Sequence, residues 1–238
     1  MKINNPDIRD RTYTTLLLDA DGTLLDFDEA ERQSSASVMR TYGINPTDEL
    51  IERYHQLNLE CWKAFERGDI PKKAIFQTRY PQFFSELGIT VDADQTERLY
   101  REKLDACAFL LPGALEICAY LKEKYQLYII TNGVSSTQYS RLALSGLDQY
   151  FLDVFVSEDA GSQKPQKEYF DYCLARIPEK NTGNMLVIGD SLTSDIRGGK
   201  NAGIATCWTN FINSPEPSEP ELLPDYEIHD LSELKNIL

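Results

Sequence analysis

Short runs of apolar residues alternate with amphipathic segments through the second half of the chain. Such runs, bounded by turn-forming residues, are typical of strands buried in a parallel sheet. We predict strands over residues 13–18, 127–130, 153–156, 185–188 and 205–208, and helices over residues 114–124, 135–145, 168–176 and 193–201. Residues 213–224 are a predicted surface loop before a short final strand and helix. Strands that alternate with helices predict an α/β fold with a doubly wound parallel sheet.

The segment between the first and second predicted strands has a helical period instead. We predict four helices there, over residues 28–41, 47–65, 71–87 and 94–106, with Gly or Pro near the boundaries of the first three. No segment of this region has the pattern of a strand. We therefore predict a core of residues 1–25 and 110–238, interrupted by an inserted helical unit of residues 26–109.

Composition and charge narrow the possible classes of protein. A hydrophobic fraction of 42% in 238 residues suffices for a packed core. The formal net charge of −14 argues against nucleic acid polymers and anionic membranes as partners, because like charges repel. Five dispersed cysteines without a CxxC pair fit reduced thiols in the cytoplasm. The polar residues 1–11 do not resemble a signal peptide, and the two histidines lie too far apart in sequence to favour a zinc site.

Two carboxylates follow the first predicted strand directly. Because side chains alternate along a strand, Asp19 and Asp21 are expected to project to the same side where the strand ends. Gly22 permits a tight turn. Two adjacent carboxylates repel each other unless a cation or a shared proton compensates. This segment predicts a magnesium site with a nucleophile and an acid–base group, and the alternative is an acidic turn with no chemistry.

Three further segments carry candidate polar side chains, and two of these segments directly follow predicted strands. Thr131, Asn132 and Gly133 offer a hydroxyl and main-chain amides at the start of a helix, which suits a phosphate group. Lys164 stands before a proline and offers a positive charge. The last segment has Asp190 after an apolar strand and Asp195 about one helical turn later; Lys164 as a surface lysine and Asp190 as a turn residue are the alternatives. Ligands of open α/β sheets bind at this edge.

Taken in order, these segments resemble the four motifs of the haloacid dehalogenase (HAD)-like hydrolase superfamily. The segments that carry the resemblance are Asp19-Ala20-Asp21-Gly22-Thr23, Thr131-Asn132-Gly133, Lys164-Pro165, and the run from Gly189 through Asp190 to Asp195. The resemblance implies a Rossmann-like core and identifies the inserted helical unit as a type 1 cap. It also implies an active site at the carboxyl edge of the sheet.

The resemblance also implies a role for each motif residue. Asp19 would be the nucleophile that forms an aspartyl-phosphate, and Asp21 would protonate the leaving group and then activate water. Mg²⁺ would be held by Asp19, the main-chain carbonyl of Asp21 and Asp190, with Mn²⁺ or Co²⁺ as open substitutes. Asp195 would orient metal-bound water or hold Lys164. The phosphate group would be bound by Thr131, the main-chain amide of Asn132, and Lys164.

The second carboxylate favours a phosphatase within this superfamily, because an ester oxygen needs a proton to leave and a halide does not. Segments such as Phe27-Asp28, Leu111-Pro112-Gly113 and Arg141-Leu142 are similar to bacterial pyrimidine 5′-nucleotidases, which act on UMP, dUMP and TMP. The implied function is a magnesium-dependent hydrolase of a small phosphomonoester, with a pyrimidine nucleotide as the favoured substrate. A sugar-phosphate phosphatase, a phosphoglucomutase and a non-catalytic binding protein remain alternatives.

Aromatic residues of the inserted unit have two interpretations. Trp62, Phe65, Phe76 and Tyr80 could stack on a nucleobase, or they could fill the unit's own core at helical spacing. Arg79 is a further candidate for a substrate contact. Lysines at positions 63, 72 and 73 are interpreted as ordinary helix residues instead of the Schiff-base lysine that a phosphonatase needs.

Overall fold

Two units make up the chain in the computed structural model, which describes residues 1–5, 8 and 11–238. The sheet unit comprises Met1–Asp26 and Leu110–Leu238, and the helical unit comprises Phe27–Phe109. Four residues of the polar N-terminal segment, at positions 6, 7, 9 and 10, lie outside the described residues. The core and cap roles of the two units stay a prediction.

The described part of the sheet unit forms one seven-stranded sheet. Its strands are β1 (Lys2–Ile3), β2 (Thr15–Leu18), β3 (Gln126–Thr131), β4 (Asp153–Val156), β5 (Met185–Gly189), β6 (Ala205–Thr209) and β7 (Tyr226–Ile228). Their order in the sheet is β1-β7-β6-β5-β2-β3-β4, and every neighbouring pair is parallel except β1 with β7. The predicted α/β fold with a mostly parallel sheet is confirmed.

The α-helices of the described residues follow the predicted order closely. They are α1 (Phe27–Thr41), α2 (Asp48–Glu66), α3 (Lys72–Glu86), α4 (Ala93–Asp105), α5 (Ala114–Lys122), α6 (Ser135–Ser145), α7 (Ser157–Ala160), α8 (Lys167–Arg176) and α9 (Arg197–Asn201). Two predictions needed correction. The helix expected over residues 193–201 begins as a π-helical turn, Leu192–Ile196, and the final helix is the 3₁₀ segment Leu231–Asn236.

Strand β2, which lies inside the sheet between β5 and β3, determines where the chemistry can lie. Its four residues are fully buried, with Leu16 and Leu18 packing into one apolar cluster and Leu17 into another. This alternation is what a strand covered on both faces requires. Leu18 pairs in register with Ile129 of β3 and Ile188 of β5. The residues that follow these three strands therefore meet at one edge of the sheet.

The helical unit has its own aromatic core. Tyr54, Tyr80 and Tyr100 are buried together, and the Tyr54 and Tyr80 rings stack with centroids 4.6 Å apart. Thr47 and Asp92 cap the first turns of α2 and α4, because each side chain accepts a hydrogen bond from a main-chain amide three residues later. In the described part of the chain, no helix is both long and apolar enough to cross a membrane.

Candidate active site

Lys164 lies at the centre of the polar groups that follow β2, β3 and β5. Its Nζ donates to Asp19 Oδ1 at 2.5 Å and to Asp195 Oδ1 at 2.7 Å. The third donor position is used by the carbonyl oxygen of Ile130, 2.9 Å away. The side chain is 2% exposed. Desolvation opposes the charged form, but the attraction of Asp19 and Asp195 outweighs it and raises the pKa of Lys164 above its usual range.

Asn132 fixes the main chain that carries this lysine. The Asn132 side-chain oxygen accepts a hydrogen bond from the Lys164 amide at 2.9 Å, and its Nδ2 donates to the Lys164 carbonyl at 3.0 Å. Nδ2 also lies 3.3 Å from Ser194 Oγ. The side chain of Asn132 therefore positions Lys164, and the predicted phosphate contact of its main-chain amide stays a prediction.

Three carboxylates form a cluster beside the ammonium group. Asp19, Asp190 and Asp195 each offer an oxygen within 4.8 Å of the others. A Cβ at Gly22 would lie 2.6 Å from Asp190 Oδ2, so the main chain directly after Asp21 approaches this carboxylate too closely for any residue larger than glycine. With all groups ionised, Lys164 leaves two negative charges uncompensated. Clustered hard oxygen atoms with this excess charge fit a divalent cation such as Mg²⁺.

The carboxyl groups of this cluster titrate far from their ordinary range. Desolvation by burial, with a smaller contribution from Asp195, raises the pKa of Asp19 to about 8 despite the opposing charge of Lys164. The Asp190 residue is exposed at the surface, and one of its carboxylate oxygens lies within 4.8 Å of those of Asp19 and Asp195. Desolvation and the charges of Asp19 and Asp195 raise the pKa of Asp190 well above its usual value. A cation bound here would reverse both shifts.

Asp21 is held apart from this cluster by a different set of partners. Arg141 Nη1 donates to Asp21 Oδ1 at 2.5 Å, and Gln138 Nε2 donates to Asp21 Oδ2 at 2.5 Å. Gln138 also donates to Thr131 Oγ1 at 2.8 Å. The structure thus brings Asp21 and Thr131 together through a residue that the sequence analysis missed. The sequence analysis named Arg141 only as part of a segment similar to pyrimidine 5′-nucleotidases. The sequence signal for a buried role was its position next to apolar Leu142 in a predicted helix.

The candidates in the helical unit are divided by their burial. Phe65 and Tyr80 are buried within the unit, whereas Trp62 and Phe76 remain partly exposed, with ring centroids 6.5 Å apart. Arg79 is 3% exposed and donates to Glu97 Oε2 and to Asn58 Oδ1, both at 2.7 Å. The buried groups thus act in the packing of the unit. Lysines 63 and 73 are exposed and lysine 72 is half-buried.

Comparison with known proteins identifies the family. A model for haloacid dehalogenase-like hydrolases matches residues 13–203. The HAD-hydrolase YfnB of Bacillus subtilis is 43% identical over 96% of both chains, and a crystal structure of YfnB bound to magnesium has a TM-score of 0.91, covering 96% of this chain and 99% of that one. The pyrimidine 5′-nucleotidases PynA of Streptococcus pneumoniae and YjjG of Escherichia coli are 36% and 30% identical, over 95% and 94% of this chain and 97% and 96% of theirs.

These matches cover the sheet edge and the motifs that surround it. They also extend through the helical unit, so the similarity is not confined to a short motif. The resemblance inferred from the four motifs is confirmed: the chain belongs to the haloacid dehalogenase-like hydrolase family.

Proposed function

We propose that this hydrolase cleaves small phosphomonoesters through an aspartyl-phosphate on Asp19, and that pyrimidine nucleoside monophosphates are its substrates. The observation that carries the proposal is that Asp19 and Asp21, the two carboxylates of the first motif, accept hydrogen bonds from different residues. Lys164 holds Asp19, whereas Arg141 and Gln138 hold Asp21. Two carboxylates in different environments can take different roles, one as nucleophile and one as acid–base group.

Each step then has a residue suited to it. A carboxylate oxygen of Asp19 attacks phosphorus, and the bond from phosphorus to the ester oxygen breaks. Asp21 enters the step as the carboxylic acid and gives its proton to the departing alkoxide. The proton that it then accepts from the water that hydrolyses the aspartyl-phosphate returns it to the acid form. Lys164, with all three donor positions fixed, stabilises the negative charge of the transferred group. Hydrolysis returns Asp19 as a carboxylate and releases inorganic phosphate.

The proposed metal site consists of Asp19, the main-chain carbonyl of Asp21, and Asp190. Mg²⁺ bound there would keep Asp19 ionised and would neutralise charge on the phosphoryl oxygens. Asp195 serves as the partner of Lys164, since its Oδ1 accepts from Nζ and its Oδ2 accepts from the amide of Ser191 at 3.1 Å. With all three carboxylates ionised, as a bound cation would favour, their excess of two negative charges over Lys164 supports a divalent ion. The oxygen ligands alone leave Mn²⁺ and Co²⁺ as possible replacements.

The nucleotide substrate is supported by the two nucleotidase relatives, PynA and YjjG. They align with nearly the whole of this chain, including the helical unit, at 36% and 30% identity. A small phosphomonoester is therefore the proposed partner, and the cytoplasmic location inferred from the dispersed thiols stays a prediction.

Phosphate release with Mg²⁺ across a panel of monoesters tests the proposal. The panel comprises UMP, dUMP, TMP, purine monophosphates, hexose phosphates and p-nitrophenyl phosphate. Asp19→Asn serves as the inactive variant, and Asp171→Asn, which alters an exposed carboxylate, serves as its matched control. Preference for pyrimidine monophosphates that Asp19→Asn abolishes supports the proposal. Preference for hexose phosphates would show that the substrate is a sugar phosphate instead of a nucleotide. Activity that survives in Asp19→Asn would show that Asp19 is not the nucleophile.

A further inference from the structure

Helix α6 directs two buried polar side chains at the carboxylate of Asp21. Gln138 and Arg141 are three residues apart, so they share one face of the helix. They are 1% and 0% exposed. Gln138 binds Asp21 Oδ2 and Arg141 binds Asp21 Oδ1, each at 2.5 Å. Because each carboxylate oxygen has its own donor from the same helix, rotation of the carboxyl group is restricted.

The burial of Arg141 makes a role in packing alone a poor explanation. A guanidinium group removed from water needs a charged partner, and replacement of buried ion pairs by apolar residues is often neutral or stabilising. One charged partner of Arg141 is Asp21, whose side chain keeps 25% of its surface exposed. The ion pair thus joins a buried helix position to a carboxylate that solvent can reach.

Gln138 extends the same arrangement to Thr131. Thr131 Oγ1 accepts hydrogen bonds from Gln138 Nε2 at 2.8 Å and from the Gly133 amide at 3.1 Å. A hydroxyl group has two acceptor positions and one proton, so the Thr131 proton is left to donate to another group. A Cβ at Gly133 would lie 2.3 Å from Gln138 Nε2, so the close approach of this amide requires glycine.

We propose that Gln138 and Arg141 are positioning residues for the acid–base step, holding the Asp21 carboxyl group towards the leaving oxygen while Gln138 directs the Thr131 proton to the phosphoryl group. The proposal rests on the proposed function, because it takes Asp21 as the acid–base group. Gln138 and Arg141 form no bond to substrate in this scheme and act through Asp21 and Thr131. Their removal is therefore expected to displace the acid without removing it.

A comparison of substrates with different leaving groups distinguishes a positioning role of Gln138 and Arg141 from a structural role. Departure of an alkoxide needs a proton from Asp21, whereas p-nitrophenolate leaves without one. The ratio kcat/KM reports the steps up to cleavage of the ester. We expect Arg141→Met and Gln138→Met to lower kcat/KM for UMP and glycerol 2-phosphate by about 10- to 100-fold, and for p-nitrophenyl phosphate by less than about 5-fold, as for a misplaced catalytic group.

Three further variants complete the experiment. Leu142→Met changes the buried neighbour of Arg141 without touching Asp21, so the ratio between the ester classes should stay at the wild-type value. Arg141→Lys keeps the charge and should recover part of the loss. If Arg141 acts through Asp21, the double variant Asp21→Asn/Arg141→Met should be no slower than Asp21→Asn alone. Should Arg141→Met fail to fold, Gln138→Met and Arg141→Lys carry the comparison.

The outcomes distinguish this inference from the proposed function. If Asp21→Asn slows the alkyl esters selectively but Arg141→Met and Gln138→Met slow both ester classes equally, the positioning role is wrong and the acid role of Asp21 stands. If Asp21→Asn itself slows both classes equally, the acid role is wrong and the positioning role falls with it. Selective losses in all three variants, with a non-additive double variant, support both.

Discussion

Replacement of Lys164 by methionine tests whether its charge holds the site together in the absence of metal. The variant keeps an unbranched side chain and removes the ammonium group that bonds to Asp19, Asp195 and the Ile130 carbonyl. Because the pKa of Asp19 is raised to about 8, Asp19 carries a proton near pH 7 in the metal-free protein. Asp195, which is completely buried, is then the carboxylate that Lys164 neutralises.

Two independent arguments give the same magnitude for this variant. Removal of one partner of a buried ion pair costs about 3–5 kcal/mol. The folded variant can instead protonate the carboxylate that has lost its partner. This protonation costs about 1.4 kcal/mol for each pH unit above an ordinary carboxyl pKa near 4, so the cost is about 4 kcal/mol near pH 7. We therefore expect a loss of about 4 kcal/mol near pH 7. The loss should shrink to about 1.4 kcal/mol near pH 5, because protonation is then easier.

Urea unfolding in EDTA measures this loss. The chain has two tryptophans, with Trp208 in the sheet unit and Trp62 in the helical unit. In a Trp62→Phe background, tryptophan emission, excited at a wavelength that tyrosine does not absorb, comes from Trp208 and follows the sheet unit. The matched control is Lys167→Met, which breaks an exposed ion pair with Asp171 and should cost less than about 1 kcal/mol. A loss for Lys164→Met below about 1 kcal/mol, or one that does not change with pH, would refute the assigned pairing of Lys164 with Asp195.

Three further predictions concern the carboxylate cluster and the helical unit. Mg²⁺ should raise the Tm of the wild type but not of Asp190→Asn; an equal rise in both would remove Asp190 from the proposed metal site. In EDTA, the stability of the wild type relative to Asp19→Asn should fall as the pH rises from about 4 to about 8, by up to about 1.4 kcal/mol per pH unit. The reason is that folded Asp19 keeps a proton that the unfolded chain releases over this range. A difference in urea unfolding that does not change with pH would contradict the raised pKa of Asp19. Arg79→Met should destabilise the helical unit by about 3 kcal/mol in urea unfolding, since it leaves Glu97 Oε2 and Asn58 Oδ1 without their buried donor. This loss is at the low end for a buried pair, because Arg101 still contacts Glu97. Arg101→Met, at a partly exposed pair with Glu97, should cost less than about 1 kcal/mol, and equal losses would contradict this assignment.

The strands and helices with a clear period could be predicted from the sequence. The strand predicted over residues 153–156 has those bounds in the structure, and α6 has the predicted bounds as well. Strand β1 has two residues, which is too short for any period, and it depends on pairing with distant β7. The π-helical turn at Leu192–Ile196 lies where the side chains of Ser191 and Asp195 bond to main-chain amides. Such local bonds compete with the regular helix and leave no pattern in the apolar positions.

For the candidate site too, the sequence predicts some features and not others. The motif residues and the edge where they meet could be predicted, because their strands end there and the residue types suit phosphate and metal. The pairing of Asp195 with Lys164 was one of two roles that the resemblance implied, but the partners of Asp21 could not be predicted. Gln138 bonds to Asp21 across 117 residues of sequence, and Arg141 bonds to it across 120. No local pattern shows which of several polar residues on α6 reaches that carboxylate, since the answer depends on how the helix packs on the sheet.

The chain leaves and re-enters the sheet unit at adjacent points. Leu25 and Leu110 form an antiparallel bridge, and the Leu111 amide donates to the Leu24 carbonyl at 2.9 Å. The helical unit is therefore an insertion whose two ends are paired within the sheet unit. The two flanking segments stay adjacent whatever the length of the insertion. Insertions of this kind are tolerated because the flanking structure is closed without them. We therefore expect that a helical unit from another family member can replace the segment between Asp26 and Leu110 while every strand keeps its register.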